Sequence, residues 1–365
     1  MISSEEALGE FVEGLKAHPV VALDTEADSL HCYFEKLCLI QVSTADGHDL
    51  VDPLADVSLQ QFFDVFTDRR VIFHGADYDL RMLRKSGTFE PGEIFDTMIA
   101  ARLCGFDALG YSALVERYFS VKLSKSSQKA NWAIRPLPDQ MVEYAMNDTR
   151  YLLKICEELE SEIRRLDRWE WFRESIERVN IASREIKERD EDMVWRISGS
   201  ARLSARAQSV LRVLWFWRDA ESRAWDRPPF HVMGNNDLLT VSEKVSRGEA
   251  FSTPRLTNKR RRSFDVALAL ALQVPESEWP KPVRKRGRRR TQEQLDRFDE
   301  LKVVRDRAAG NLNLDPSIIA SRGALEAVSV AEDSDALMSW QRELIGLAAR
   351  NGAPANGESS SDSAR

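Results

Sequence analysis

Two carboxylates, Asp24 and Glu26, stand two residues apart at the end of a short apolar, β-branched run, VVALD at 20–24. Alternation along a strand sends both side chains to one face. Ionised carboxylates on a mostly apolar strand are costly unless positive charge meets them. A same-face pair also repels itself, so a divalent cation is the expected neighbour. Tyr144 and Asp148 are spaced i, i+4 in a helical pattern over 138–159, which stacks one above the other. That face also carries Met141, Ala145, Leu152 and Ile155, so it turns inward and brings a third carboxylate near the core. Asp77 and Asp79 follow the apolar run RVIFH, within HGADYDLRMLRK. Either could complement a helix dipole as a first-turn acid or serve as a metal ligand, and spacing does not choose between them. Magnesium and manganese prefer hard oxygen ligands, and two such ions roughly 4 Å apart serve phosphodiester hydrolysis by stabilising the attacking and leaving oxygens.

The elements that must position these groups read as a layered α/β domain. Strands are expected at 20–24, 37–43, 48–52 and 70–74, and helices near 58–66, 77–85, 96–103, 111–118 and 138–159. Asp96, ahead of TMIAARL, reads as an N-cap rather than a ligand. Past residue 160 the strand signals stop. EIRRLDRWEWFRESIERVNIASREIKERD reads as a helix or helical pair, and the remainder as all-helical.

That remainder holds an internal repeat. WRDAESRAWDRPPFHVMGNNDLL from Trp217 aligns without a gap on VRDRAAGNLNLDPSIIASRGALE from Val304. Arg218 pairs with Arg305, Asp219 with Asp306, Pro229 with Pro316 and Leu238 with Leu325, each 87 apart (305 less 218). Two copies of one small helical domain are expected.

Composition sets the limits. A chain of 365 residues suggests two or three domains, and 43% hydrophobic with 30% charged residues is an ordinary globular balance. No apolar run approaches the roughly 20 residues that span a bilayer. MISSEEALGEF lacks a basic segment followed by an apolar stretch, so a cytoplasmic location is expected. Cys32, Cys38, Cys104 and Cys156 form no C-x-x-C pair and read as buried small hydrophobes. A net charge of −7 does not announce a nucleic-acid partner. Local patches must carry it: KRRR at 259–262 and KPVRKRGRRR at 281–290, each either a solvated run or a phosphate contact.

The strings DTEADS, FHGADYDLRML, FDTMIAARL and YAMND resemble the successive motifs of the DEDD exonucleases, in the subclass ending Y-x-x-x-D. With KSSQKANWAIRPL before the last motif and the helical repeats behind it, the chain resembles the ribonuclease D family, over roughly 19–330. The repeats themselves resemble HRDC domains. The resemblance implies a ribonuclease H-like exonuclease domain, a mixed central sheet flanked by helices, followed by all-α helical domains. The expected division is exonuclease 1–165, helical connector 166–200, first HRDC-like domain 201–280, basic linker 281–290, second HRDC-like domain 291–350 and disordered tail 351–365.

By that resemblance Asp24 bridges two Mg²⁺ or Mn²⁺ ions, Glu26 and Asp148 hold the ion carrying the attacking water, and Asp79 supports the second. The family's H-x-x-x-x-D register, opened here by His74, selects Asp79 over Asp77. Tyr144 orients the water by a phenolic hydrogen bond. Where many relatives carry an aromatic residue after D-T-E, this chain has Ala27, so terminal-base stacking must come from elsewhere; His31 and Tyr33 are nearby. His31, His74, Lys129, Trp132 and Arg135 are the substrate-binding candidates, the last three by charge and stacking. Trp132 reads equally as core.

The expected function is metal-dependent 3′→5′ removal of nucleoside 5′-monophosphates from RNA 3′ ends, tRNA precursors among them, with no membrane or ATP involved. Two alternatives are a 3′→5′ DNA exonuclease in repair and an inactive nucleic-acid-binding scaffold. Nothing in the residues separates RNA from DNA, because that choice rests on 2′-hydroxyl contacts. The absence of a G-x-x-x-x-G-K-[ST] loop argues against an ATP-driven helicase. The presence of all four acids and the tyrosine argues against decay.

Overall fold

The computed structural model describes residues 1–124, 126–185, 188–253, 256–281, 290–332 and 335–347. The interior of the expected basic linker at 281–290 and the tail expected at 351–365 lie outside the described residues. In chain order the elements are α1 (Glu5–Leu15), β1 (Val20–Ala27), β2 (Leu37–Ser43), β3 (His48–Val51), α2 (Gln60–Asp64), β4 (Arg70–Phe73), α3 (Asp77–Ser86), β5 (Glu93–Asp96), α4 (Thr97–Leu103), α5 (Tyr111–Phe119), α6 (Asp139–Arg150), α7 (Leu152–Arg165) and α8 (Trp169–Ala182). There follow α9 (Ala205–Trp225), α10 (Pro229–Val232), α11 (Asn235–Ser246), α12 (Asn258–Gln273), α13 (Gln292–Leu312), α14 (Pro316–Ile319), α15 (Arg322–Val330) and α16 (Ser339–Leu344).

The four expected strands form, joined by β5, in the order β3-β2-β1-β4-β5. β1 runs antiparallel to β2 and parallel to β4, and β2 runs antiparallel to β3, so the sheet is mixed. All seven residues of β2 are buried, as a strand covered on both faces requires. Two elements escaped the sequence reading. α1 carries Leu8, Val12 and Leu15 on one buried stripe behind the N-cap Ser4, and β5 is only four residues long. The pattern over 138–159 divides at Tyr151 into α6 and α7. Asp96 caps α4 as expected, accepting from the backbone of Met98 at 2.8 Å and Ile99 at 3.2 Å.

The described residues fall into two compact units that do not follow chain order. The first gathers those of Met1–Phe95, Ser120–Leu153 and Asn180–Arg286 and so contains most of the sheet, α6 and the first helical copy. In it α9 packs against α10, α11 and α12 around Leu211, Leu214, Trp217, Leu238 and Phe264. The second gathers those of Asp96–Phe119, Lys154–Val179 and Gly287–Arg365. There the buried Arg168 donates to the carbonyls of Leu103 at 2.6 Å and Leu312 at 2.7 Å, and Trp171 stacks on Trp340 at 4.8 Å.

The repeat holds element by element. α9 and α13, α10 and α14, and the starts of α11 and α15 coincide at the same offset of 87 residues (292 less 205). Asp226 and Asn313 end the long helices in the left-handed region, at φ 45° and 52°. Arg218 donates to the Met233 carbonyl at 3.0 Å, and Arg305 to that of Ala320 at 2.9 Å. One cation, buried at Arg218 and half-buried at Arg305, thus ties the long helix to the same turn in each copy.

Candidate active site

β1 sets the frame. Its register pairs Asp24 with Gln41 and Glu26 with Leu39, so both acids share one face of the sheet with alternate residues of β2. α6 lies on β1, β2 and β3. It starts after Pro138, whose extended backbone ends the preceding segment, and is anchored by Met141 and Ala145 in a core with Leu39, Leu50, Trp132 and Leu137. A buried hydroxyl pair, Ser43 with Thr149 at 2.6 Å, fixes the end of α6 beside Asp148.

One carboxylate oxygen each from Asp24, Glu26 and Asp148 lies within 4.8 Å of the others, and all three residues are partly exposed. Asp79 stands outside this group. It is buried, and its Oδ1 accepts a hydrogen bond from Thr25 Oγ1 at 2.6 Å. Asp77 is exposed and paired with Arg81 at 3.0 Å, which accounts for it without the site. Tyr144 lies at the edge of the α6 core, its ring 5.9 Å from that of Trp132.

Electrostatics follow from the crowding. Asp24 is held well above the usual carboxylate range by burial first, then by Asp79, Asp148 and Glu26, while a hydrogen bond with the Thr25 backbone works the other way. Glu26 is pushed up to about 9 by burial, Asp148 and Asp79, and Asp148 to about 7 by burial. Burial, reinforced by Asp148, Glu26 and Asp24, also raises the Tyr144 phenol, which keeps its proton as a hydrogen-bond donor. Acids so placed take up protons unless cations replace them. The donor set consists of carboxylate oxygens without sulfur or imidazole, which fits a hard divalent ion such as Mg²⁺ or Mn²⁺.

Two expected substrate contacts are corrected. Trp132 is 1% exposed and belongs to the core beneath α6, so it offers no face for a base. Arg135 is committed to the protein, forming an ion pair with Asp52 at 2.5 Å and donating to the carbonyls of Trp132 at 2.8 Å and Cys38 at 2.6 Å. Tyr33 is also engaged. Its hydroxyl donates to Asp219 of α9 at 2.9 Å, and its ring meets that of Phe34 edge-on. His31 Nε2 lies 3.1 Å from the Lys129 carbonyl, leaving the exposed Lys129 ammonium outside that contact. His74 is half-buried directly after β4.

Two residues went unread. Thr25, between the two acids of D-T-E, ties Asp79 to β1, and Gln41 lies fully buried opposite Asp24. A polar residue inside the apolar string LCLIQVS was the available signal for the latter.

Comparison with known proteins agrees with this geometry. A family model described as 3′-5′ exonuclease matches residues 1–164. The chain is 30% identical over 361 residues to the ribonuclease D of Jannaschia sp. (strain CCS1), covering 94% of this chain and 92% of that protein. It is 27% identical over 346 residues to the ribonuclease D of Bartonella henselae, covering 91% and 84%. The crystal structure of Escherichia coli RNase D superposes with a TM-score of 0.69 at 23% identity, covering 90% of this chain and 89% of that one, and so shares the fold. Divalent metal dependence comes with the 3′-5′ exonuclease family and matches the cluster of Asp24, Glu26 and Asp148. The chain belongs to the ribonuclease D family and is a 3′→5′ exoribonuclease.

Proposed function

We propose that Asp24, Glu26, Asp148 and Asp79 hold two Mg²⁺ or Mn²⁺ ions, and that the protein removes nucleoside 5′-monophosphates one at a time from RNA 3′ ends in the cytoplasm, tRNA precursors among them. The observation that carries this reading is the meeting of three carboxylates from β1 and α6 within 4.8 Å. Bound there, the ions supply positive charge for the attacking and leaving oxygens. The chain's own residues do the positioning. Asp24, Glu26 and Asp148 each bring one oxygen to the shared group, and Asp79 is tied to their strand through Thr25. The protonated Tyr144 phenol holds the attacking water by a hydrogen bond. The E. coli relative is described as acting in structured RNA processing, which favours folded RNAs with short single-stranded tails as substrates. The two helical copies, read as HRDC domains, extend the grip on RNA through their basic positions.

The test is incubation with 5′-labelled RNA and matched DNA under Mg²⁺, Mn²⁺ or EDTA. A ladder shortened from the 3′ end of RNA, absent in EDTA and in Asp24→Ala, is expected. Shortening from the 5′ end, or activity untouched by Asp24→Ala, overturns the reading.

A further inference from the structure

β2 is apolar except at Gln41 and Ser43. Ser43 is satisfied by Thr149 at 2.6 Å and His48 Nδ1 at 2.8 Å. Gln41 is different. Its side chain is fully buried, and neither Oε1 nor Nε2 has a hydrogen-bond partner. Other orphan atoms, such as Nε of Arg168 and of Arg218, belong to guanidinium groups that donate through another nitrogen. At Gln41 the whole carboxamide is idle. A buried unpaired amide is destabilising and rare, and its persistence calls for a partner that arrives in the working state.

The register says where that partner stands. On the face covered by α6, Gln41 is flanked by Leu50 of β3 on one side and Asp24 of β1 on the other. Directly opposed residues hold their Cβ atoms roughly 5 Å apart, within reach of a glutamine amide and an aspartate carboxylate. Of these two strand neighbours, the Leu50 side chain can accept nothing, whereas the Asp24 carboxylate can pair with the amide.

We propose that Gln41 is a positioning residue of the carboxylate site: once Asp24 is ionised against a metal, Gln41 Nε2 donates to it and fixes its orientation. This rests on the reading that Asp24 holds metal. Partners of this kind behind metal ligands are worth 10- to 100-fold in metal affinity.

Mn²⁺ titration of the full chain without RNA, followed by calorimetry, tests it in Gln41→Met, Gln41→Leu and Asp24→Asn. The glutamine variants are expected to bind Mn²⁺ about 10- to 100-fold more weakly. Their melting temperature in EDTA should equal or exceed that of the wild type, since the idle amide is gone. With RNA, kcat should fall while KM changes little. Wild-type Mn²⁺ affinity and kcat in the glutamine variants, with both lost in Asp24→Asn, overturns the role of Gln41 and leaves the metal reading standing. Mn²⁺ affinity intact in Asp24→Asn overturns the metal reading itself. In the unmodified protein, the Gln41 side-chain amide resonances should shift and gain exchange protection on Mg²⁺ addition. Unmoved resonances contradict the proposal without any variant having to fold.

Discussion

Thr25 Oγ1 and Asp79 Oδ1 are joined by a 2.6 Å hydrogen bond that is buried and spans 54 positions of sequence. It ties the strand bearing Asp24 and Glu26 to the helix bearing Asp79, and uses the face of β1 opposite to those two acids. Thr25→Val removes the donor while keeping the shape, so Asp79 loses this hydrogen bond in a buried setting. Turnover is expected to fall about 10-fold and metal affinity to weaken within the 10- to 100-fold range of such outer partners. Thr25→Ser restores both. Wild-type titrations in the valine variant count against a supporting role for Asp79.

Metal-free stability should fall as pH rises. Glu26 is raised from its usual 4.5 to about 9 and Asp148 from 3.8 to about 7, so the folded chain binds more protons than the unfolded one between those limits. Unfolding free energy therefore declines with pH across roughly 4 to 9 in EDTA. Glu26→Gln should flatten that decline, and millimolar Mg²⁺ should reverse it by replacing the protons. Thermal unfolding across this range, with and without metal, checks the sign. A stability that rises through the window in EDTA and is indifferent to Glu26→Gln contradicts the crowding argument.

Tyr144→Phe leaves the ring beside Trp132 and deletes only the hydroxyl. Turnover should drop about 10- to 1,000-fold, in line with the loss of one positioned hydrogen bond, with Mn²⁺ affinity within a few-fold of wild type. Paired loss of metal binding would make the tyrosine a structural prop instead.

The helix α9 holds the segment after β1. Asp226 Oδ1 accepts from the backbone N–H groups of Tyr33 at 3.0 Å and Phe34 at 3.1 Å, and Arg227 donates to the His31 carbonyl at 2.8 Å. Asp226→Ala should speed amide exchange at Tyr33 and Phe34 by at least 10-fold and lower kcat/KM severalfold, because the released segment continues from Glu26. Unchanged exchange at those two amides would show the clamp to be dispensable.

The basic run opening α12 is not uniform. Arg260 lies over the Trp225 ring at 3.6 Å and near Glu221 at 3.5 Å, whereas Lys259 and Arg262 are exposed. If this face meets phosphates, Lys259→Ala and Arg262→Ala should each lower the salt slope of RNA binding by about one, while Arg260→Ala should mainly destabilise the fold. A slope unchanged in the double variant assigns the run to solvent.

Much of this is legible in the sequence because the period of two and the period of 3.6 are strong there. VVALD, LCLIQVS and RVIFH can hardly be anything but buried strands, and the i, i+4 spacing of Tyr144 and Asp148 survives on α6. β5 is hidden by its shortness, and α1 by its place ahead of the first motif. The break at Tyr151 leaves no proline or glycine to mark it. Trp132 and Arg135 mislead because charge and aromaticity look alike on a surface and in a core. Burial against Ala145 and the carboxylate of Asp52 decide their fate, and both partners are distant in sequence. The compact units are hidden for the same reason. Arg168 finds its acceptors at Leu103 and Leu312, which no local window contains.

The most direct test is anomalous diffraction from crystals equilibrated with Mn²⁺, in the wild type and in Asp24→Asn. Strong Mn²⁺ peaks among Asp24, Glu26 and Asp148 in the wild type, missing from the variant, are the predicted result. Mn²⁺ bound elsewhere in the wild type while this carboxylate group stays without it, in an enzyme that still trims RNA 3′ ends, contradicts the assignment of the site.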